Sequence, residues 1–321
     1  MRVLQINFEK LGGEKKATRD GYGDALVELG AKYEKLVVLD ADLSGSTKTN
    51  KFAKKFPERF FNFGVAEQNL VGQAAGLAMA GFTPFASSFA IFLTGRAWEI
   101  VRNTVVYPQL NVKLAATHAG ITLGEDGASH QIIEDIALMR VIPGMKVVVP
   151  ADYWQAYHAV EKVFLENGPV YLRLGRPAIP VVYPPQYEFC FGESELLKTG
   201  QDYLFVACGV MVYEALKAAL LLEKQKNVSI AVLNMATIKP LDEEGLLEAS
   251  QKAKAIFTFE EHSTYGGLGG AVSEFFAQKK PMPVYRFGLK DVFGQSGSAD
   301  ELMAYYRLKG EQLAEDIASL L

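Results

Sequence analysis

Apolar residues along this chain fall into two kinds of run. Short, nearly continuous ones, such as KLVVLDADL at 35–43 and KVVVPAD at 146–152, alternate with longer stretches whose apolar positions recur at helical spacing. TRDGYGDALVELGAKY (18–33) and DYWQAYHAVEKVFLEN (152–167) are of the second kind. That rhythm predicts an α/β fold with a mainly parallel sheet. Further strands are expected in NVKLAATHAG (111–120) and PVYLRLG (169–175), and helices at about Glu67–Met79 and Gly95–Val105. VVYPPQYEF (181–189) holds two prolines and little periodicity, so it reads as a linker. Beyond it DYLFVACG, VSIAVLNM, AKAIFTFEE and PVYRFGL are strand candidates interleaved with helices such as YEALKAALLLEKQ, which makes a second, smaller α/β unit. Two domains are therefore expected, at 1–185 and 190–321.

Composition narrows the class without changing the fold. A length of 321 residues suits two cores better than one. With 49% hydrophobic and 22% charged residues and a net charge of −4, nothing calls for nucleic acid as a partner. No apolar run has the length of a membrane span, and no amino-terminal leader is evident. Cys190 and Cys208 form no metal or disulfide pattern, so a cytoplasmic location is expected.

In open parallel sheets ligands bind beyond the carboxyl ends of the strands. There the first unit places LDADLSGST, THAGITLGEDGASH and RLGRP. The second of these holds two of the four histidines, His118 and His130, with Asp126 between them in a glycine-punctuated loop. Two imidazoles and a carboxylate suit proton transfer or hydroxyl recognition. The plainer reading is a turn at 124–127, with Ser129 capping a helix and His130 in its first turn. No third ligand stands at a diagnostic spacing, so no metal site is expected. FNFGVAEQNLVG (61–72) raises a separate question, because Glu67 sits among hydrophobes. An acidic residue at a helix amino end would account for it. So would a carboxyl held for chemistry in apolar surroundings.

GVAEQN (64–69), THAGITLGEDGASHQ (117–131), IPGMKVVVPAD (142–152) and RPAIP (176–180) together resemble the carboxyl-terminal half of transketolase. The resemblance covers nearly the whole chain and implies a pyrimidine-binding domain followed by a transketolase carboxyl-terminal domain. It also implies a missing half. The GDG and later Asn that hold magnesium and the diphosphate in this family have no counterpart here, which points to one subunit of a split enzyme. The implied cofactors are thiamine diphosphate and Mg2+, the latter held by an amino-terminal partner subunit in a heterotetramer. The implied substrates are sugar phosphates, between which a two-carbon ketol unit is transferred.

The family assigns roles residue by residue. Glu67 matches the acid beside the cofactor's ring nitrogen, which promotes the tautomer that deprotonates the reactive carbon. Phe89 and Phe92 in SSFAIFLTG match the aromatic lining of the pyrimidine pocket, whereas Gly95 stands where some members carry another aromatic. Asp42 matches an aspartate near the cofactor. Arg19, Ser46 and Arg176 match the phosphate-binding set, and an arginine fork suits phosphate. His118, Asp126 and His130 match residues that contact substrate hydroxyls and carbonyl, the two histidines being candidates for proton exchange. Without the family, Arg19 reads as a solvated charge before a helix and Arg173 as a surface residue on a strand. His158 reads as a packing or surface residue, and the FTFEEHSTYGGLGG stretch around His262 (257–270) as structural. The beta subunit of a 2-oxo-acid dehydrogenase shares both domains and the glutamate but lacks the GEDGASH loop. A non-catalytic scaffold subunit is the reading from another class.

Overall fold

Alternate residues of the strand Leu36–Asp40 enter two different hydrophobic clusters, Leu36 and Val38 on one side, Val37 and Leu39 on the other. Such a strand is buried on both faces, which is why its sequence reads as a continuous apolar run. In the computed structural model, which describes residues 1–6, 8 and 11–321, this strand lies in a seven-stranded sheet. Across the sheet run Thr237–Lys239, Lys146–Val148, Val170–Arg173, Lys113–Thr117, Thr83–Phe89, Leu36–Asp40 and Phe60–Asn62. Every pairing is parallel except that of Thr237–Lys239.

Helices cover both faces. On one side Thr18–Lys32 packs on Tyr153–Leu165, with backbones so close that a Cβ at Gly21 would lie 2.4 Å from the Tyr153 carbonyl oxygen. A side chain there would force the helices apart. On the other side Glu67–Met79 buries Leu70, Val71, Ala74 and Ala75, the stripe its spacing predicts. The second sheet orders Arg2–Val3, Glu195–Lys198, Ile230–Asn234, Tyr203–Ala207, Ala255–Ser263 and Val284–Leu289.

The two units exchange strands. Arg2–Val3 pairs with Glu195–Leu196 in the second sheet, and Thr237–Lys239 extends the first. The stretch 181–189 is no loose linker, because Val182, Tyr183, Tyr187 and Phe189 are buried. Asp152 Oδ2 accepts the amides of Val182 and Tyr183 at 2.6 and 2.8 Å. The hydroxyls of Tyr183 and Tyr187 donate to the two carboxylate oxygens of Glu195 at 2.6 and 2.5 Å. The connection thus packs as part of the core.

Candidate active site

Parallel register brings the carboxyl ends of four strands to one edge, since Asp40 lies opposite Ser87, Phe89 opposite Thr117 and Ala116 opposite Arg173. The first strand end is shaped by Asp40. Its Oδ1 accepts the Leu43 amide at 2.6 Å, and its Oδ2 accepts the hydroxyls of Thr47 and Thr49 at 2.7 and 2.9 Å. These bonds fold LSGST back so that the Ser46 carbonyl accepts from Arg19 at 3.0 Å.

Arg19 is half-buried in the first turn of its helix and also donates to Nε2 of His118 at 3.2 Å. A guanidinium can only donate, so Nε2 carries a lone pair and the ring proton sits on Nδ1, facing Thr117 Oγ1 at 2.8 Å. Burial, followed by the charges of Arg19, Arg176 and Lys48, pushes His118 down to about 3. The imidazole is therefore neutral at physiological pH. His118 adopts φ +61°, a conformation that side chains rarely take. Its ring stacks on Phe89 with centroids 3.9 Å apart.

Phe89 closes the strand Thr83–Phe89, and the π-helical turn Ile91–Arg96 follows at once. The rings of Phe89 and Phe92 are nearly parallel at 5.9 Å, and His130 meets Phe92 edge-on at 5.5 Å. Glu67 opens the helix Glu67–Met79 and is only 1% exposed. Its surroundings are not the purely apolar ones expected, because Arg96 donates to Oε2 at 2.9 Å while its guanidinium lies 5.0 Å from the Phe92 centroid. One unbroken chain of contacts therefore runs from Glu67 through Arg96, Phe92, Phe89 and His118 to Arg19 and Ser46, with His130 on its flank.

The histidine loop is held from below. Gln131 Nε2 donates to the carbonyls of Ile121, Gly124 and Gln295 at 3.1, 3.0 and 3.0 Å, tying the loop to the second unit. Beneath it Glu261 Oε1 accepts the Thr122 amide at 2.5 Å. At Gly120, φ +80°, an added Cβ would fall 2.3 Å from that carboxyl, so only glycine fits. Arg176 Nη1 binds the Leu123 carbonyl at 2.5 Å and Glu125 Oε2 at 2.9 Å. Asp126 is exposed at the loop's apex and Asp42 pairs with Asn62, so neither joins the contact chain directly. Ser129 does not cap a helix. Its hydroxyl meets His130 Nδ1 at 3.0 Å, and the next helix begins at Asp135.

Arg173 is a buried residue, not a surface one. Its Nε donates to Asp135 Oδ2 at 2.7 Å and its Nη2 to the Glu261 carbonyl at 2.9 Å. Glu260 caps the helix Leu268–Lys279 through the amides of Leu268 and Gly269, at 2.7 and 2.8 Å. Sequence reasoning passed over Arg96 and Lys48, and read the stretch holding Glu261 as structural. Only Arg96 left a signal, as a cation directly after Gly95 in the SSFAIFLTG stretch.

Two family models match in tandem: the transketolase pyrimidine-binding domain over residues 14–181 and the transketolase C-terminal domain over 192–313. The chain belongs to the transketolase family. A Methanocaldococcus jannaschii protein provisionally named a transketolase C-terminal section is 53% identical, over 96% of this chain and 97% of its own. A 6-deoxy-6-sulfo-D-fructose transketolase subunit of a Clostridium species is 39% identical, over 92% and 91%. Among solved structures, a split gene transketolase in an inactive β4 tetramer is 50% identical with a TM-score of 0.86, covering 94% of this chain and 97% of that one. The resemblance read from the sequence and the two-domain α/β fold both hold.

Transketolases depend on thiamine diphosphate, and the residues here fit one end of it. A buried carboxylate at the head of a helix and the half-buried face of Phe92 suit a flat aminopyrimidine. Among the described residues no group of three or more His, Cys, Asp or Glu side chains could hold a metal ion, and no helix is long and apolar enough to cross a membrane.

Proposed function

We propose that this chain is the carboxyl-terminal subunit of a split transketolase. With a separate amino-terminal subunit it moves a two-carbon ketol unit from a ketose phosphate to an aldose phosphate. The observation that carries this reading is the contact chain linking Glu67 to Arg19, because it joins an aminopyrimidine pocket to an oxyanion pocket across a pair of histidines. Thiamine diphosphate held there would supply the nucleophilic carbon that the transfer needs.

This chain's own groups prepare the site. Glu67 holds a proton against the pyrimidine ring nitrogen, Phe89 and Phe92 support the ring, and Asp42 stands on the cofactor side. Arg19, Arg176 and Ser46 hold the substrate's phosphate end. Asp126 reads a hydroxyl. When Arg19 turns to the phosphate it frees the Nε2 lone pair of the neutral His118 to accept a hydrogen bond from the sugar, leaving His130 to exchange protons with it.

Mg2+ and the diphosphate fall to the amino-terminal subunit. Phe61, Val65, Met79 and Phe82 are exposed on and around the Glu67 helix, which supports a partner surface there. We take this chain to hold domains at 1–185 and 190–321 and to assemble with the amino-terminal subunit into a heterotetramer, working in the cytoplasm, where the free Cys190 and Cys208 stay reduced. The test is to mix the two subunits with cofactor and supply either xylulose 5-phosphate with ribose 5-phosphate, or pyruvate. Ketol transfer between the sugars supports the reading, and turnover of pyruvate alone overturns it in favour of a 2-oxo-acid dehydrogenase subunit.

A further inference from the structure

Arg96 bridges Glu67 and the face of Phe92, the two groups proposed to hold an aminopyrimidine. Its Nη1 donates to Glu67 Oε2 at 2.9 Å, and its guanidinium lies 5.0 Å from the centre of the Phe92 ring. A guanidinium and an aminopyrimidine share the relevant shape, since both are flat, stack on an aromatic face and hydrogen-bond a carboxyl group, the guanidinium as donor and the ring nitrogen as acceptor of the carboxyl proton. We propose that Arg96 is an internal placeholder for the cofactor's pyrimidine ring and sets the affinity with which the assembled protein takes up thiamine diphosphate. The inference rests on the proposed function and adds to it a residue to which no role in the reaction has been given above.

Three features of the site carry it. Glu67 is 1% exposed and fixed at the start of a helix, whereas the Arg96 side chain is 52% exposed, so of the two only Arg96 is free to leave. The residue before it is Gly95, where an added Cβ would meet only Ile91 Cδ1 at 3.7 Å. No side chain at that position fills the pocket wall, and the arginine lies across it instead. Finally, Arg96 ends the π-helical turn Ile91–Arg96, and its carbonyl accepts from Gln68 Nε2 at 3.3 Å, which holds the turn against the Glu67 helix. The extra residue of a π turn aims Arg96 back at Glu67.

The two partners of Glu67 exclude one another. A guanidinium pairs with the charged carboxylate, whereas a ring nitrogen shares a proton with the carboxyl. Cofactor uptake therefore requires Arg96 to swing to solvent, a cheap move for a half-exposed side chain. In the absence of cofactor the same contact keeps a buried carboxylate paired. Arg96 is thus a positioning residue that acts through Glu67.

Isothermal titration of the assembled two-subunit protein with thiamine diphosphate, in the presence of Mg2+, tests this. Arg96→Gln is expected to tighten binding about tenfold, the scale of one charge-assisted hydrogen bond discounted for exposure. Arg96→Lys, which keeps the charge without the fork, should fall between the two. In a Glu67→Gln background Arg96→Gln should change the affinity less than threefold, a coupling that a merely structural arginine would not show. Unchanged or weaker binding by a folded Arg96→Gln, or equal tightening with and without Glu67, overturns the placeholder. A wild-type assembly that binds no thiamine diphosphate overturns the proposed function itself. If Arg96→Gln fails to fold, Arg96→Lys decides by the sign of its change.

Discussion

Arg19 donates to the one nitrogen of His118 that faces away from Thr117, and this fixes both the tautomer and the charge of the histidine. Burial of the ring, followed by the charges of Arg19, Arg176 and Lys48, keeps it neutral down to about pH 3. His118→Gln, which keeps an acceptor near the Nε2 position, should lower kcat/KM without changing the shape of its pH profile between pH 5 and 9. Loss of a limb of that profile would show that His118 titrates during turnover.

Glu67→Gln should preserve fold and assembly and reduce turnover by about 10²–10⁴-fold, the usual contribution of a positioned acid or base. Glutamine keeps the shape of the side chain but has no carboxyl proton to share with a ring nitrogen. Steady-state rates at saturating cofactor decide this, and a variant close to wild type would remove Glu67 from the chemistry.

Arg176→Ala should raise KM for phosphorylated sugars by about 10–150-fold, equivalent to ~1.5–3 kcal/mol for a bond to a charged group. The same substitution should barely affect unphosphorylated analogues. Equal losses on both would mean that the contacts of Arg176 with Leu123 and Glu125 serve only to shape the loop.

How much of this was legible in the chain depends on sequence distance. The helix Glu67–Met79 lies where its pattern places it, because Leu70, Val71, Ala74 and Ala75 repeat at helical spacing and bury together. Arg173 was misread because its partners, Asp135 and Glu261, stand 38 and 88 residues away, and no local pattern announces a buried pair. Arg96 and Glu67 are 29 residues apart and meet only through the parallel sheet between them. The stretch 181–189 looked like a linker on its prolines, yet Tyr183 and Tyr187 reach Glu195 and bury the segment. The motifs of the family drew attention to Arg19 and His118. Their mutual contact, and the left-handed backbone at His118, required the fold.

Glu261 links stability to pH. Burial pushes its carboxyl up to about 7 from the ordinary 4.5, and Oε2 has no hydrogen-bond partner. A raised folded-state value gives a contribution that is complete below about pH 4.5 and is lost as pH rises through 7. Glu261→Gln removes that dependence, so its stability relative to wild type should grow between pH 5 and 8 by at most about 3 kcal/mol. Denaturant melts at pH 5 and pH 8 measure this, and a constant difference would show that Glu261 does not titrate in that range.

The most direct test of the central claim is a titration of this chain with the amino-terminal subunit, at fixed thiamine diphosphate and Mg2+. The readout is ketol transfer from xylulose 5-phosphate to ribose 5-phosphate. The chain alone should be inactive, because on the proposed function it brings only the pyrimidine and sugar end of a site whose diphosphate end belongs to the partner. Activity should then rise and saturate near one partner chain per copy of this one. Robust turnover by this chain alone, free of host transketolase, would contradict the account.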